Sequence, residues 1–189
     1  LCAFTDFGCL SDVSNGLMSI FRITIFLTAF IFLLSCGKKV TDEKTSITVE
    51  SRIHDQADLL TPDQEENIFQ LIKEVDKKLG SQIAILTIDT LMGEPINEFS
   101  LRTANQIKLG REKYNDGILL TIAVKNREMR IEVGIGLEKI IKDEIASQII
   151  QDDIAPHFRE KDYYTGIKNG VEKIKKLIED HPDLIGQTK

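Results

Sequence analysis

Apolar residues recur along this chain in two rhythms, and their alternation predicts most of its elements. Ile68, Leu71, Ile72, Val75 and Leu79 fall three or four apart, as one face of a helix requires, with polar residues between them. The start of that helix is marked by Thr61 as a cap, Pro62 at the first helical position and Gln64 where a capping-box partner sits. Gly80 ends it. Gln82 to Thr87 is a short run of β-branched and aliphatic residues and reads as a buried strand. A turn around Gly93-Glu94-Pro95 leads to a second helix from about residue 96 to 109, with Ile96, Phe99, Ala104 and Ile107 as a looser apolar face. Gly110 terminates it. Ile118 to Val124 and Met129 to Val133 flank the tight turn Lys125-Asn126-Arg127-Glu128 and read as a hairpin. In its second arm Met129, Ile131 and Val133 face one way, Arg130 and Glu132 the other.

After Gly134-Ile135-Gly136 the rhythm turns helical again. Asp143 opens a segment carrying Ile145, Ala146, Ile149 and Ile150, and Pro156 marks a boundary or kink. The last long helix runs from about Tyr163 to Ile178 on the stripe Ile167, Val171, Ile174 and Leu177, and His181-Pro182 ends it. Strand, helix and strand imply a right-handed parallel crossover, to which the hairpin adds an antiparallel strand. The expected fold is α/β: a three-layer α/β/α sandwich with a mixed sheet of about four strands.

The N-terminal region follows a different pattern. Met18 is followed by Arg22 and then an almost unbroken apolar run, Ile23 to Leu34. That run is short for a membrane-spanning helix and of the right length for a secretory signal. It ends in Leu33-Leu34-Ser35-Cys36, which resembles the lipobox of bacterial lipoproteins. The resemblance implies a diacylglyceryl group on the Cys36 thiol and cleavage just before it; an uncleaved N-terminal membrane segment is the alternative. The expected organisation is an upstream segment (1–17) outside the fold, a signal peptide (18–35), lipidated Cys36 with a polar linker (36–50), a folded domain (51–180) and a flexible tail (181–189). Such a protein works outside the cytoplasm, in the cell envelope, anchored to a membrane by its lipid.

Composition adds exclusions. The chain is 42% hydrophobic and 29% charged, an ordinary globular balance. Its net charge of -6 and scattered lysines and arginines give no basic stripe, which argues against nucleic acid as a partner. The cysteines are Cys2, Cys9 and Cys36, so the domain itself has neither a disulfide nor a catalytic thiolate to draw on. No phosphate loop, dinucleotide fingerprint, nucleophile elbow or HExxH pair is present.

The candidate chemistry is therefore sparse. His54, His157 and His181 are far apart, with no ligand spacing. Asp55, Asp116 and Asp143 stand at predicted strand and helix ends. Each could be a cap or turn former, or together they could offer oxygen ligands to a hard cation, calcium or magnesium. Ligands in open α/β sheets settle at the carboxyl ends of the parallel strands, and Asp116 stands at the amino end of its strand. The hairpin nevertheless returns the chain to that same edge near Gly134. Gly134-x-Gly136 serves backbone geometry, through positive φ or close approach, or cradles an anion or metal ligand. Arg127 either solubilises the hairpin turn or pairs with one of the carboxylates. Asp152-Asp153 reads as a solvated pair.

Taken together, Asn115-Asp116-Gly117-Ile118-Leu119-Leu120, Asn126-Arg127, Arg130-Ile131-Glu132-Val133-Gly134-Ile135-Gly136-Leu137 and Asp143 resemble the core of the TPM domain family. Ile53-x-Asp55 with Ala57 and Leu59-Leu60 resembles its opening motif, and Pro156-x-Phe158 with Tyr163-x-x-Gly166-Ile167 its closing one. The resemblance spans about residues 50–180. It implies an α/β/α sandwich held outside the cytoplasm near a membrane, in a family with calcium-binding members and members with acid phosphatase activity. It also implies that Asp55, Asp116 and Asp143 are the family's acidic positions, Arg127 its arginine, and Gly134 and Gly136 its glycines. One departure is Ile107-Lys108-Leu109-Gly110, where relatives carry Trp-x-x-Gly; this chain has no tryptophan. The expected function is a membrane-tethered module that binds calcium or another divalent metal, or an envelope protein, and assists envelope protein maintenance. The alternative is a metal-dependent acid phosphatase acting on phosphate esters, with Asp116, Asp143 and Arg127 supplying the chemistry.

Overall fold

The computed structural model describes residues 51–186. The upstream segment 1–17, the signal 18–35, Cys36, the linker 36–50 and residues 187–189 lie outside the described residues.

The domain begins with a short strand, β1 (Ile53–Asp55), and a long helix, α1 (Pro62–Leu79). The capping box of α1 is present as expected: Thr61 accepts from the Gln64 backbone, and Gln64 accepts from the Thr61 N–H at 2.9 Å. Gly80 ends the helix in the left-handed conformation, φ 79°, and its N–H donates to the Asp76 carbonyl. Next come β2 (Gln82–Ile88), α2 (Ile96–Gln106), β3 (Gly117–Ala123) and β4 (Glu128–Val133). A 3₁₀ turn (Ile135–Leu137) leads to α3 (Asp143–Gln148), a π-turn (Ile149–Ile154), α4 (Ala155–Arg159) and α5 (Tyr163–Asp180).

The four strands lie in the order β1-β2-β3-β4, with β1, β2 and β3 parallel and β4 antiparallel to β3. This is the mixed α/β sheet that the alternation predicts, with helices on both faces. On one face Ile83, Ile85, Ile118, Leu120, Ile122 and Ile131 pack against the stripes of α1 and α5 and against Ala146, Ile149 and Ile154. Ile72 is fully buried in that cluster, and truncating it to alanine should cost about 2–5 kcal/mol. The other face is a smaller cluster of Ala84, Leu86, Leu119 and Ala123 under α2 and Leu91. Ile107 is buried there.

Pro156 does mark a boundary, and its form is specific. A proline nitrogen cannot donate to the carbonyl four residues back, and the ladder just before it widens: the Ala155 N–H reaches the Ile150 carbonyl, a π-type bond. α5 approaches this turn closely because Gly166 and Gly170 leave room. A Cβ on Gly166 would lie 3.0 Å from the Ile154 carbonyl oxygen, and one on Gly170 2.6 Å from the Ile154 side chain. Beyond α5 the chain stays docked for several residues rather than forming the flexible tail expected from His181 onward. Pro182–Leu184 form a 3₁₀ turn, Leu184 and Ile185 pack on the larger core, and the Gly186 N–H donates to the Gly136 carbonyl at 2.8 Å.

Candidate functional site

The three aspartates singled out by sequence stand at different places on the sheet. Asp116 immediately precedes β3 at the amino edge and is fully buried. Both of its carboxylate oxygens are occupied. One accepts the Arg111 backbone N–H at 2.8 Å; the other accepts Arg111 Nε at 2.8 Å and a terminal guanidinium N–H at 2.5 Å. Loop 111–116 is thereby clamped onto itself. Asp55 ends β1 at the opposite, carboxyl edge, where it accepts the Leu60 N–H at 2.8 Å and the Thr87 hydroxyl. It closes the β1–α1 loop.

Sheet register fixes how far apart these two are. Asp55 pairs with Thr87, and Gly117, next to Asp116, pairs with Gln82. Five residue steps along β2 separate Gln82 from Thr87, roughly 16 Å at about 3.3 Å per step. One cation cannot be ligated from both. Asp143 is exposed at the first position of α3, where its charge complements the helix dipole, and it shares no contact with the other two carboxylates. The structure therefore does not assemble Asp55, Asp116 and Asp143 into one metal site. Among the described residues no three His, Cys, Asp or Glu side chains are gathered to hold a metal ion.

The hairpin does return to the amino edge at Gly134, as its length predicts, and there the two glycines allow close approach. Gly134 is extended at φ -66°, so positive φ is not what it provides. A Cβ on Gly134 would fall 2.2 Å from the Asn115 carbonyl oxygen, and one on Gly136 1.7 Å from that of Tyr114. Their N–H groups donate to the Gly117 and Asn115 carbonyls at 2.8 and 3.0 Å. With those donors used, the pair forms no cradle for an anion. Asp116, Arg111, Gly134 and Gly136 together make a dense backbone lock.

The carboxyl edge is different. Asp55, Thr87, Ile122 and Met129 form one row across the four strands, on the face covered by α1 and α5. Over the Ile122–Met129 end of that row lies a cleft of about 670 Å³. Its floor is apolar: Ile122, Val124 and Met129 from the hairpin, with Ala155, Phe158 and Tyr163 from the α4–α5 region. Phe158 and Tyr163 meet edge to face, centroids 5.0 Å apart, which holds both rings in place. His157 ties α4 to α5 by accepting the Asn169 amide at 3.1 Å, and Asp162 caps α5 through the Thr165 N–H. Hydrogen bonds from Thr165 hold the Asp162 carboxyl below its usual range.

The rim of the cleft is cationic. Arg127 reaches it from the hairpin turn, and Arg159 and Lys161 from the α4–α5 turn, with Glu128 as the one acid on the lining. Arginine pairing sets this rim apart. Arg52, Arg102, Arg111 and Arg130 each bind a carboxylate within the domain. Arg127 and Arg159 have no ion pair among the described residues, and both face the cleft. Arg127 and Lys161 also hold left-handed backbone, at φ 58° and 63°, a region that glycine or asparagine normally fills. Unpaired arginine charge thus gathers over one apolar floor, the combination expected of a binding site rather than of a stability device.

Of the expected site residues, only Arg127 belongs to this cleft. Arg159 and Lys161 gave no signal in the sequence, because scattered basic residues on a helix end look like ordinary solvated charge. Phe158 and Tyr163 were visible only as parts of the closing motif.

The comparisons agree with this architecture. The TPM domain family matches residues 53–177. The N-terminal domain of a protein from P. gingivalis, solved in solution, is 30% identical, and the match covers 74% of this chain and 88% of that one with a TM-score of 0.65. The BA42 protein of the psychrophilic bacterium Bizionia argentinensis is 18% identical over 65% of this chain and 83% of its own, TM-score 0.57. The N-terminal domain of the cg2496 protein from Corynebacterium glutamicum is 11% identical over 67% and 79%, TM-score 0.54. These last two share the fold. No curated protein matches the chain. With most of its described length matched by the family and a 30% identical relative of the same fold, this chain belongs to the TPM domain family.

Proposed function

We propose that this domain is a lipid-tethered, extracytoplasmic interaction module that docks an anionic partner in its carboxyl-edge cleft and so assists the maintenance of envelope proteins. The observation that carries the reading is the pairing of arginines: those left without a carboxylate both stand over one apolar floor, beside Lys161. Unpaired guanidinium groups are forks for carboxylate or phosphate, and an apolar floor beside them selects a partner with both kinds of surface. The cleft also lies where ligands of open α/β sheets settle, outside the carboxyl ends of parallel strands. The lipobox-like Leu33-Leu34-Ser35-Cys36 supports the tether. A calcium role for Asp55, Asp116 and Asp143 as a set has less support, since their oxygens are divided between two edges and those of Asp116 are already bound.

Hydrolysis of phosphate esters would draw on the same cationic rim, with Glu128, the one carboxylate of the lining, as its candidate base. The test separates the two. A photoreactive residue at Phe158 in the full-length protein should cross-link to an envelope protein, while one at Asn115 on the amino edge should not. Arg127→Glu with Arg159→Glu should abolish the adduct, and Cys36→Ala should release the domain from the membrane fraction. Equal adducts from both edges would refute the docking reading. Phosphate-ester turnover by the purified domain, lost in Glu128→Gln, would replace it with the catalytic one.

A further inference from the structure

We infer that the occupant of this cleft is an extended acidic peptide segment whose apolar residue seats on the floor while flanking carboxylates meet the rim. The inference rests on the reading of the cleft as a docking site and goes further by naming what docks. Charge decides first. Arg127, Arg159 and Lys161 face Glu128 alone, so the lining carries a surplus of two positive charges, three cations against one acid. The cations also stand on opposite walls, Arg127 on the hairpin turn and the other two on the α4–α5 turn. Carboxylates placed on either side of an anchor can be met by both.

The floor and the size decide next. At about 670 Å³ the cleft lies within the range of pockets that hold ligands of roughly 300–1,000 Å³, far more room than an inorganic anion fills. Phe158 and Tyr163, fixed against each other, offer a ring edge and face to an aromatic or branched side chain.

The chain contains no tryptophan, so a tryptophan in a peptide probe reports binding without background. The probe is the blocked peptide Glu-Asp-Trp-Leu-Asp-Glu, titrated with the domain at low salt. Its emission should shift to the blue as the ring leaves water, and the shift should saturate. Arg159→Gln and Lys161→Gly should each weaken binding by about five- to tenfold, as loss of a charge-assisted contact at a partly solvated site predicts. Lys161→Gly also removes backbone strain, so weaker binding by a variant that is at least as stable cannot be assigned to misfolding. Raising salt from about 50 to 500 mM should weaken binding further, because screening shortens the reach of the rim charges. The peptide Lys-Arg-Trp-Leu-Lys-Arg should not bind.

Two results overturn the inference, and they differ in what else they overturn. If inorganic phosphate binds with the same dependence on Arg127 and Arg159 while the acidic peptide does not, the cleft takes phosphoryl groups; the anion-binding reading then stands and the peptide is wrong. If neither probe binds, or amide shifts on peptide addition map to residues 110–117 and 134–137, the docking reading falls with it.

Discussion

The two edges of the sheet are built on opposite principles. At the amino edge the groups that join the two loops are all spent on one another: Asp116 is saturated by Arg111, and the N–H groups of Gly134 and Gly136 donate to neighbouring carbonyls. Loops 110–117 and 134–137 touch at distances only glycine permits. At the carboxyl edge Arg127, Arg159 and Lys161 have no ion pair among the described residues, and an apolar floor is left open between them. Natural domains concentrate such unfavourable features where they bind. The comparison teaches that the most motif-like stretch of this sequence secures the fold, and that the open site is made of residues no motif announces.

The largest effect should come from breaking the amino edge. Gly136→Ala would put a methyl 1.7 Å from the Tyr114 carbonyl oxygen, which is backbone and cannot rotate away. The two loops must part, losing both hydrogen bonds between them, at a cost above about 4 kcal/mol. We expect urea denaturation to find little or no folded protein. Asp116→Ala should follow, at about 2–4 kcal/mol, because it strands the Arg111 N–H, although the guanidinium can still reach water. A melting temperature lower by about 10 °C would fit a domain of this size. The loss should be the same in calcium and in chelator. A loss that grows only in calcium would show Asp116 to be a ligand and not a lock.

Much of the fold was legible because it rests on local signals. The Thr61–Gln64 capping box, the helical stripes and the hairpin around Lys125-Asn126 each lie within a few residues of sequence, and each formed as read. The candidate site was less legible for two physical reasons. Asp116 could be set at the amino end of its strand from sequence, but the three-residue strand that carries Asp55 to the opposite edge is too short to show a rhythm, and only its register with β2 reveals it. The cleft, moreover, depends on a long-range meeting: residues 122–129 must lie against residues 155–163, and nothing local encodes that. Left-handed backbone at Arg127 and Lys161 is equally silent, since glycine or asparagine is its usual sign. Gly134 and Gly136 were visible as glycines, but close approach rather than positive φ is what requires them.

A smaller effect, of opposite sign, should come from relieving the carboxyl edge. Lys161 is the left-handed residue after α4, with its N–H donating to the Phe158 carbonyl at 3.1 Å. Lys161→Gly and Arg127→Gly should each stabilise the domain by about 0.5–1 kcal/mol, the relief of backbone strain less the added freedom of the unfolded chain. Thermal melts read this directly. If both variants are destabilised, the cations have structural partners in solution and the contrast between the edges fails on that side.

The smallest effect concerns the other end of the carboxyl edge and depends on pH. Glu65, in the first turn of α1, has its pKa raised by burial first and then by the charges of Asp55 and Asp58. For a carboxyl group, a raised folded pKa means that the fold disfavours the charged form. The penalty is therefore absent at low pH, where Glu65 is protonated in both states. It grows as pH rises through the unfolded value of about 4.5 and is fully present at neutral pH. Glu65→Gln should raise stability at pH 7 by less than about 1 kcal/mol, the scale of partly solvated charge interactions, and should change nothing at pH 3. Asp58→Asn should reduce the benefit, since it removes one of the charges that Glu65 opposes. The same melts on Glu74→Gln provide the reverse sign. Hydrogen bonds from Lys175 and then Lys78 lower the Glu74 pKa to about 2, so its contribution is present above the unfolded pKa of 4.5 and is lost as pH falls toward 2. A Glu65→Gln gain that persisted at pH 3 would mean the glutamate is opposed by packing and not by charge, and the electrostatic part of the contrast between the edges would then belong to the cleft alone.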